Sequence, residues 1–210
     1  MSGKKLRAGA VTAVYARKKR RYERARRRRR AMFFIGLVVF ILVMTPFLLR
    51  LPETIQKVTH PLRYEAQIRQ ASQQSGLEPA FIAGVVYTES RFRPDAESHQ
   101  GAYGLMQLLP VTANFVQQRS GIQGDYRNPG VNLRLGAWYL GYLEDRYEGH
   151  ERLMLAAYNS GESRVDGWVS QEGFDIERDI PFQETREYVD DVLEAREVYR
   201  DLYGEDLSGD

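Results

Sequence analysis

The sequence predicts a mainly helical single domain placed after an N-terminal transmembrane helix. Three observations carry that expectation. Beyond residue 62, apolar residues recur at helical spacing in successive stretches, each closed off by glycine or proline. Alternating strand patterns are scarce. An uncharged run, AMFFIGLVVFILVMTPFLL, begins at Ala31 directly behind the block Arg26 to Arg30.

The N-terminus comes first. Residues 1–30 hold 14 of the 30 Lys and Arg but only one acid, Glu23, so they carry about +13 and leave about −11 for the rest. This reads as a basic cytoplasmic tail before an acidic body. The uncharged run has about 19 residues and spans about 28 Å as a helix, enough for a bilayer core. It predicts a transmembrane anchor over residues 31–51. The positive-inside rule then puts the N-terminus in the cytoplasm and the body outside. Thr45-Pro46-Phe47-Leu48 is no small-x-small cleavage site, so the anchor is expected to stay. Tyr15 and Tyr22 interleave with the basic residues, but a polybasic stretch beside a membrane helix serves orientation and anionic lipid, and nucleic acid is not expected as a partner. Residues 52–61 form a short linker between Pro52 and Pro61.

The body, residues 62–210, reads as helix after helix. Residues 62–75 stop at Gly76, and Pro79 opens a second helix that runs to about Ser90. A third opens at Pro110. Residues 121–130 are loop by composition. Residues 131–147 carry Leu135, Trp138, Tyr139, Tyr142 and Leu143 on one broad face. Residues 153–158 form a short buried helix that ends near Gly161. Residues 185–203 close the domain as a charged amphipathic helix. The loop at 92–104 is the one place that suits a small β excursion.

The chemistry-bearing stretch is FIAGVVYTESRFRPDAESHQGAYGLMQLLPVT, from Phe81 to Thr112. Glu89 sits about 20° from Ile82, 40° from Val85 and 60° from Val86 on a helical wheel. A carboxyl among such neighbours is poorly solvated, which raises its pKa and suits it to general acid catalysis near neutral pH. The wheel alone leaves open a helix-end acid that reaches solvent or pairs with Arg91 or Arg93. Other chemistries lack their residues. There is no cysteine, hence no disulfide or thiolate metal site. His60, His99 and His150 are scattered, and neither metal nor cofactor is expected. No P-loop, GxGxxG or Ser-His-Asp order occurs.

Glu89-Ser90, Ser98 and Gly101-Ala102-Tyr103-Gly104-Leu105-Met106-Gln107-Leu108-Leu109-Pro110 resemble the signature of the family 1 lytic transglycosylases, lysozyme-like enzymes that cleave peptidoglycan. Asn132-Leu133 with Gly136 and Tyr139-Leu140 resembles that family's structural helix. Ala156-Ala157-Tyr158-Asn159-Ser160-Gly161 resembles its next motif, with Ser160 where alanine is usual. Ile180-Pro181-Phe182 with Glu184-Thr185-Arg186-Glu187-Tyr188-Val189 resembles its last, and Leu109 stands where methionine is common. The resemblance covers roughly residues 62–203.

It implies a lysozyme-like (α+β superfamily) fold and a lyase that cleaves the bond between N-acetylmuramic acid and N-acetylglucosamine with formation of a 1,6-anhydro sugar. Glu89 is then the catalytic acid. Gln107, Tyr158 and Asn159 position sugar, Ser98 contacts substrate or the acid, and Glu184 and Tyr188 line the cleft. Asp95 and Glu97 read as solvated loop acids. Two other functions stay open: a goose-type-like lysozyme, with water as acceptor, and a catalytically idle peptidoglycan-binding scaffold. Glycan strands, the membrane and a cell-wall synthesis or secretion complex are the expected partners.

Overall fold

The computed structural model describes residues 32, 34–42, 44–45 and 54–208. They fall into two separate units, Met1–Thr54 and Ile55–Asp210. In the first, residues 34–42 are helical, and their apolar side chains are exposed. Thr45 donates its hydroxyl to the Ile41 carbonyl at 2.7 Å. Among the described residues no helix is long and apolar enough to cross a membrane. The basic tail, and residues 31, 33, 43 and 46–51 of the expected anchor, lie outside the described residues.

The second unit holds α1 (Glu65–Ser75), α2 (Pro79–Ser90), α3 (Pro110–Ser120), α4 (Pro129–Arg146), α5 (Glu151–Ser160), α6 (Glu162–Val169) and α7 (Gln183–Ser208). Prolines at the first turn start α2, α3 and α4, where the missing N–H costs nothing. The Asn128 side chain caps α4 by accepting from the Gly130 and Val131 amides at 3.0 and 3.3 Å. Gly76 and Gly121 end α1 and α3 in the left-handed conformation.

Helix α2 is the centre of the domain. Ala80 through Val86 are all buried, so it is apolar around its whole circumference rather than along one stripe. Its most extensive partner is α7, the 26-residue helix that spans about 39 Å. Gly84 sets how closely they approach. A Cβ there would stand 2.9 Å from the Arg196 backbone nitrogen and 3.1 Å from the Val192 carbonyl oxygen. Helix α4 packs on α1, α3 and α5. Phe115 of α3 meets Tyr139 and Tyr142 edge-on, and Tyr142 stacks on Trp138.

Most expected elements appear, with shifted ends. The first helix begins at Glu65 rather than 62, the short buried helix spans Glu151–Ser160, and the last runs Gln183–Ser208. Helix α6 had no counterpart in the reading of the sequence: eight residues with only Val165 and Trp168 buried present too little periodicity. The loop at 92–104 does carry a β excursion, with antiparallel bridges Glu97 to Tyr103 and Tyr103 to Leu108. Within the expected linker, residues 54–59 are helical. The Tyr87, Tyr203 and Tyr199 hydroxyls donate to the carbonyls of Thr59, His60 and Pro61 at 3.2, 3.0 and 3.2 Å, which fastens this stretch to α2 and α7.

Candidate active site

Glu89 occupies the last turn of α2, where the buried helix emerges. A strip of its surface remains open to solvent, while protein crowds the carboxyl itself. Desolvation is the main effect and pushes its pKa up to about 7. The Tyr188 hydroxyl opposes that shift. Tyr188, on α7, is 8% exposed and its hydroxyl is buried beside the carboxyl. The approach is close enough to act on the carboxyl's charge, yet the hydroxyl makes no hydrogen bond of good geometry. Among the described residues Glu89 has no cationic partner and no neighbouring acid that shifts it.

Tyr158, on α5, stands on another side of Glu89 and also feels its charge. Its hydroxyl donates to the Met106 carbonyl at 2.8 Å. Burial, and then the Glu89 charge, push both tyrosines well above the usual phenol range, so both remain protonated donors. Arg91 and Phe92, just beyond the helix, adopt positive φ of 51° and 59°. This turns the chain sharply away below Glu89 and buries Phe92 against Tyr199.

The loop from Tyr103 to Leu108 forms the wall beside Tyr158, and buried polar groups hold it in place. The Ser90 hydroxyl is placed 2.8 Å from the Leu105 carbonyl and 3.1 Å from that of Val86. Asn132, fully buried on α4, accepts from the Met106 amide at 2.8 Å and donates to the Tyr103 and Tyr126 carbonyls at 3.0 Å. Gly104 and Gly136 make room: a Cβ on Gly104 would lie 2.6 Å from the Asn132 amide nitrogen, and one on Gly136 2.3 Å from the Met106 sulfur.

The structure therefore brings Glu89, Tyr158 and Tyr188 together. The remaining expected site residues are arranged differently. Gln107, at φ 45°, donates its side-chain nitrogen to the Ala96 and Gly104 carbonyls at 3.0 and 2.9 Å, so that nitrogen closes the loop and the amide oxygen is left for other partners. The Ser98 hydroxyl accepts from the Ala102 amide at 3.0 Å and closes the same loop. Asn159 is exposed at the end of α5, and its side-chain oxygen accepts from the buried Thr185 hydroxyl at 2.9 Å. That bond ties α5 to the start of α7, where Glu184 is exposed. Asp95 and Glu97 are exposed on their loop.

Two residues went unnoticed in the sequence. Tyr139, expected only as part of a helix face, lies with its ring centre 5.6 Å from that of Tyr158 and donates its hydroxyl to Glu162 at 3.2 Å. Glu162 also accepts from Tyr142 at 3.2 Å and lies 3.4 Å from the Arg146 guanidinium. Tyr139, Tyr142 and Arg146 share one face of α4 by their spacing, which was the available signal; nothing local marked Glu162 as their acceptor. Among the described residues no cluster of three or more His, Cys, Asp or Glu side chains is arranged to hold a metal.

The transglycosylase SLT domain model matches residues 66–180. The soluble lytic murein transglycosylase of Salmonella typhimurium is 31% identical over 156 residues, 69% of this chain and 24% of that one. The membrane-bound lytic murein transglycosylase C of Actinobacillus pleuropneumoniae is 31% identical over 166 residues, covering 65% of this chain and 46% of the relative. An inactive mutant of the lytic transglycosylase Slt of Pseudomonas aeruginosa superposes with a TM-score of 0.65 at 34% identity, over 69% of this chain and 25% of that one. The chain thus spans between a quarter and a half of the length of these relatives. With its mainly helical domain and the matched segment enclosing Glu89 and Tyr158, the chain belongs to the transglycosylase SLT domain family.

Proposed function

We propose that this protein is a peptidoglycan lytic transglycosylase that cleaves the β-1,4 bond between N-acetylmuramic acid and N-acetylglucosamine and leaves a 1,6-anhydro muramic end. The observation that carries the reading is the desolvated carboxyl of Glu89, close to the Tyr158 and Tyr188 hydroxyls and, among the described residues, with no second acid that shifts it. Most glycosidases need two carboxylates, one on each side of the bond. One carboxyl with a pKa of about 7 suits a reaction in which the same group gives a proton and then takes one.

Protonated Glu89 delivers its proton to the glycosidic oxygen, and that bond breaks as positive charge develops at the muramic C1. The acetamido oxygen of the same sugar stabilises that centre. The muramic C6 hydroxyl then attacks C1, and its proton goes to the Glu89 carboxylate. The ring closes, no water is consumed and the acid is regenerated. The Tyr188 hydroxyl lies where it can donate to the carboxylate at the midpoint of the cycle. Asn159, Glu184, Ser98 and Gln107 are assigned to sugar positioning along the rim.

The same reading holds the enzyme at the membrane through residues 31–51, with the basic tail in the cytoplasm and the body outside. Its support is the charge-free run behind a basic block, the exposed apolar side chains of helix 34–42, and a relative named as membrane-bound.

The test is mass spectrometry of fragments released from purified peptidoglycan by the full chain in detergent. Fragments ending in 1,6-anhydro muramic acid, lost in Glu89→Gln, are the expected result. Reducing-end fragments identify a hydrolase instead, and binding without release identifies a scaffold.

A further inference from the structure

Helix α2 ends in a turn with two consecutive left-handed residues, Arg91 at φ 51° and Phe92 at φ 59°, and the turn begins two residues after Glu89. Among the described residues no other pair of adjacent non-glycine residues has positive φ. The conformation is costly for any side chain with a Cβ, and two in succession persist only where the surroundings hold them. Each of the two leans on a tyrosine. The Arg91 guanidinium lies 3.8 Å from the centre of the Tyr87 ring, and the Phe92 ring lies 5.7 Å from that of Tyr199.

Each of those tyrosines is pinned in turn by the segment ahead of α1. Tyr87 donates its hydroxyl to the Thr59 carbonyl and Tyr199 to the Pro61 carbonyl, both at 3.2 Å. The intervening His60 carbonyl accepts from Tyr203 at 3.0 Å, and the His60 ring sits 4.5 Å from the Tyr87 ring. Three successive carbonyls therefore receive three tyrosine hydroxyls. Phe92 and Tyr199 are fully buried, so the contact belongs to the packed interior. The turn also occupies both cations that the sequence sets near Glu89: Arg91 lies on Tyr87, and Arg93 donates to the Ser90 carbonyl at 3.1 Å.

We propose that residues 59–61 form a strap that braces the turn beneath Glu89, with Tyr87 and Tyr199 as positioning residues for that acid. The inference rests on the transglycosylase reading only in naming Glu89 as the reacting group. It makes the segment ahead of the domain a part of the site's framework rather than a passive linker. Loosening the strap lets the turn relax toward ordinary backbone angles. Solvent and the Arg91 cation then gain access to the carboxyl, and both favour its charged form. The groups that face the carboxyl itself, Tyr188 of α7 and Tyr158 of α5, are not part of the strap.

The experiment uses the full chain in detergent and compares the double variant Tyr87→Phe with Tyr199→Phe against Tyr203→Phe. All keep their rings and lose hydroxyls. Fragment release from purified peptidoglycan is followed across pH, and hydrogen exchange is read at the amides of residues 91–93. In the double variant turnover should fall about tenfold, and the alkaline limb should move to lower pH by about 0.5. Exchange at 91–93 should rise at least about tenfold. Tyr203 packs on Tyr199 rather than on the turn, so Tyr203→Phe should change turnover and exchange by less than about threefold. Adding Arg91→Gly to the double variant removes the left-handed penalty and the cation together, and should bring the limb back. Unchanged turnover and exchange in the double variant overturn the proposal. An equal loss in Tyr203→Phe, a limb that stays or moves to higher pH, or no return with Arg91→Gly also overturns it. Should the double variant not fold, Tyr87→Phe and Tyr199→Phe are read singly, each with the same signs. Failure of the transglycosylase reading shows separately, as an absence of 1,6-anhydro ends with the unmutated chain; exchange at 91–93 then still decides whether the strap holds the turn.

Discussion

Glu89 and Glu162 are two partly buried glutamates on either side of the Tyr158–Tyr139 pair, and each faces two tyrosine hydroxyls. What separates them is a cation. Glu162 has the Arg146 guanidinium at 3.4 Å, while Glu89 has no ion pair among the described residues and is desolvated instead. A carboxylate with a cation is an anchor, since its charge is already satisfied. One without is held near the point of titration. The same side chain therefore becomes a structural tie or an acid according to its neighbours.

The comparison breaks most visibly on amide substitution. Glu89→Gln should reduce release of anhydro fragments by at least about 10³-fold. Glu162→Gln should stay within about tenfold of the unmutated chain, because Arg146 and the tyrosines still meet a neutral amide. Equal losses would dissolve the distinction.

The next effect is on the wall between the two glutamates. Asn132→Ala leaves the Met106 amide and the Tyr103 and Tyr126 carbonyls without their partner. It should cost about 3 kcal/mol in denaturant unfolding of the full chain. Asn132→Asp keeps the acceptor for Met106 but sets a buried carboxylate against the Tyr103 and Tyr126 carbonyls, and should cost at least as much. A loss below about 1 kcal/mol in the alanine variant would mean that the loop is held elsewhere.

Stability against pH sharpens the contrast further. The folded Glu89 binds its proton more tightly than the unfolded chain does, with a pKa of about 7 against an ordinary 4.5. Below about pH 4.5 both states are protonated and burial carries no charge penalty. Between 4.5 and 7 the native state holds the extra proton, so stability falls as pH rises, and above 7 the penalty is complete. Glu89→Gln removes the titrating group. Relative to the unmutated chain it should be more stable by on the order of 3 kcal/mol at pH 8.5, with that advantage absent at pH 4. An advantage independent of pH would assign it to packing.

The smallest effect concerns Tyr188. Its hydroxyl holds the Glu89 pKa down, so Tyr188→Phe should move the alkaline limb of the pH–rate profile to higher pH and lower turnover about tenfold. A limb that moves to lower pH would reverse the sign assigned to that contact.

Much of this was legible beforehand. The helical domain, Pro79, Pro110 and Gly76 as punctuation, and Glu89 among apolar neighbours all follow from local rules: ring geometry, the freedom of glycine and a 3.6-residue period. Helix ends were less accurate, because fraying and tertiary contact decide them, as with the extension of α7 to Ser208. The rim residues illustrate a different limit. The residue types around Gln107, Ser98 and Asn159 suggested contact with sugar, but each also has a nearby main-chain or side-chain partner that only the fold supplies. Residues 1–30 and part of 31–51 fall outside the described residues, so the proposed anchor rests on the sequence pattern.

By itself the sequence determined most of the helical segments of the body, though not α6, that α2 is an apolar helix, and which acid stands in its apolar surface. Each of these depends on residues within a turn or two of one another. Only the tertiary structure decided that Tyr158 of α5 and Tyr188 of α7 converge on Glu89, that Asn132 holds the wall from 26 residues away, and that Glu162 faces Tyr139 and Arg146. Those pairings join residues far apart in the chain. They arise when α7 closes on α2 at Gly84 and α4 packs behind the loop, and a local pattern carries no record of that.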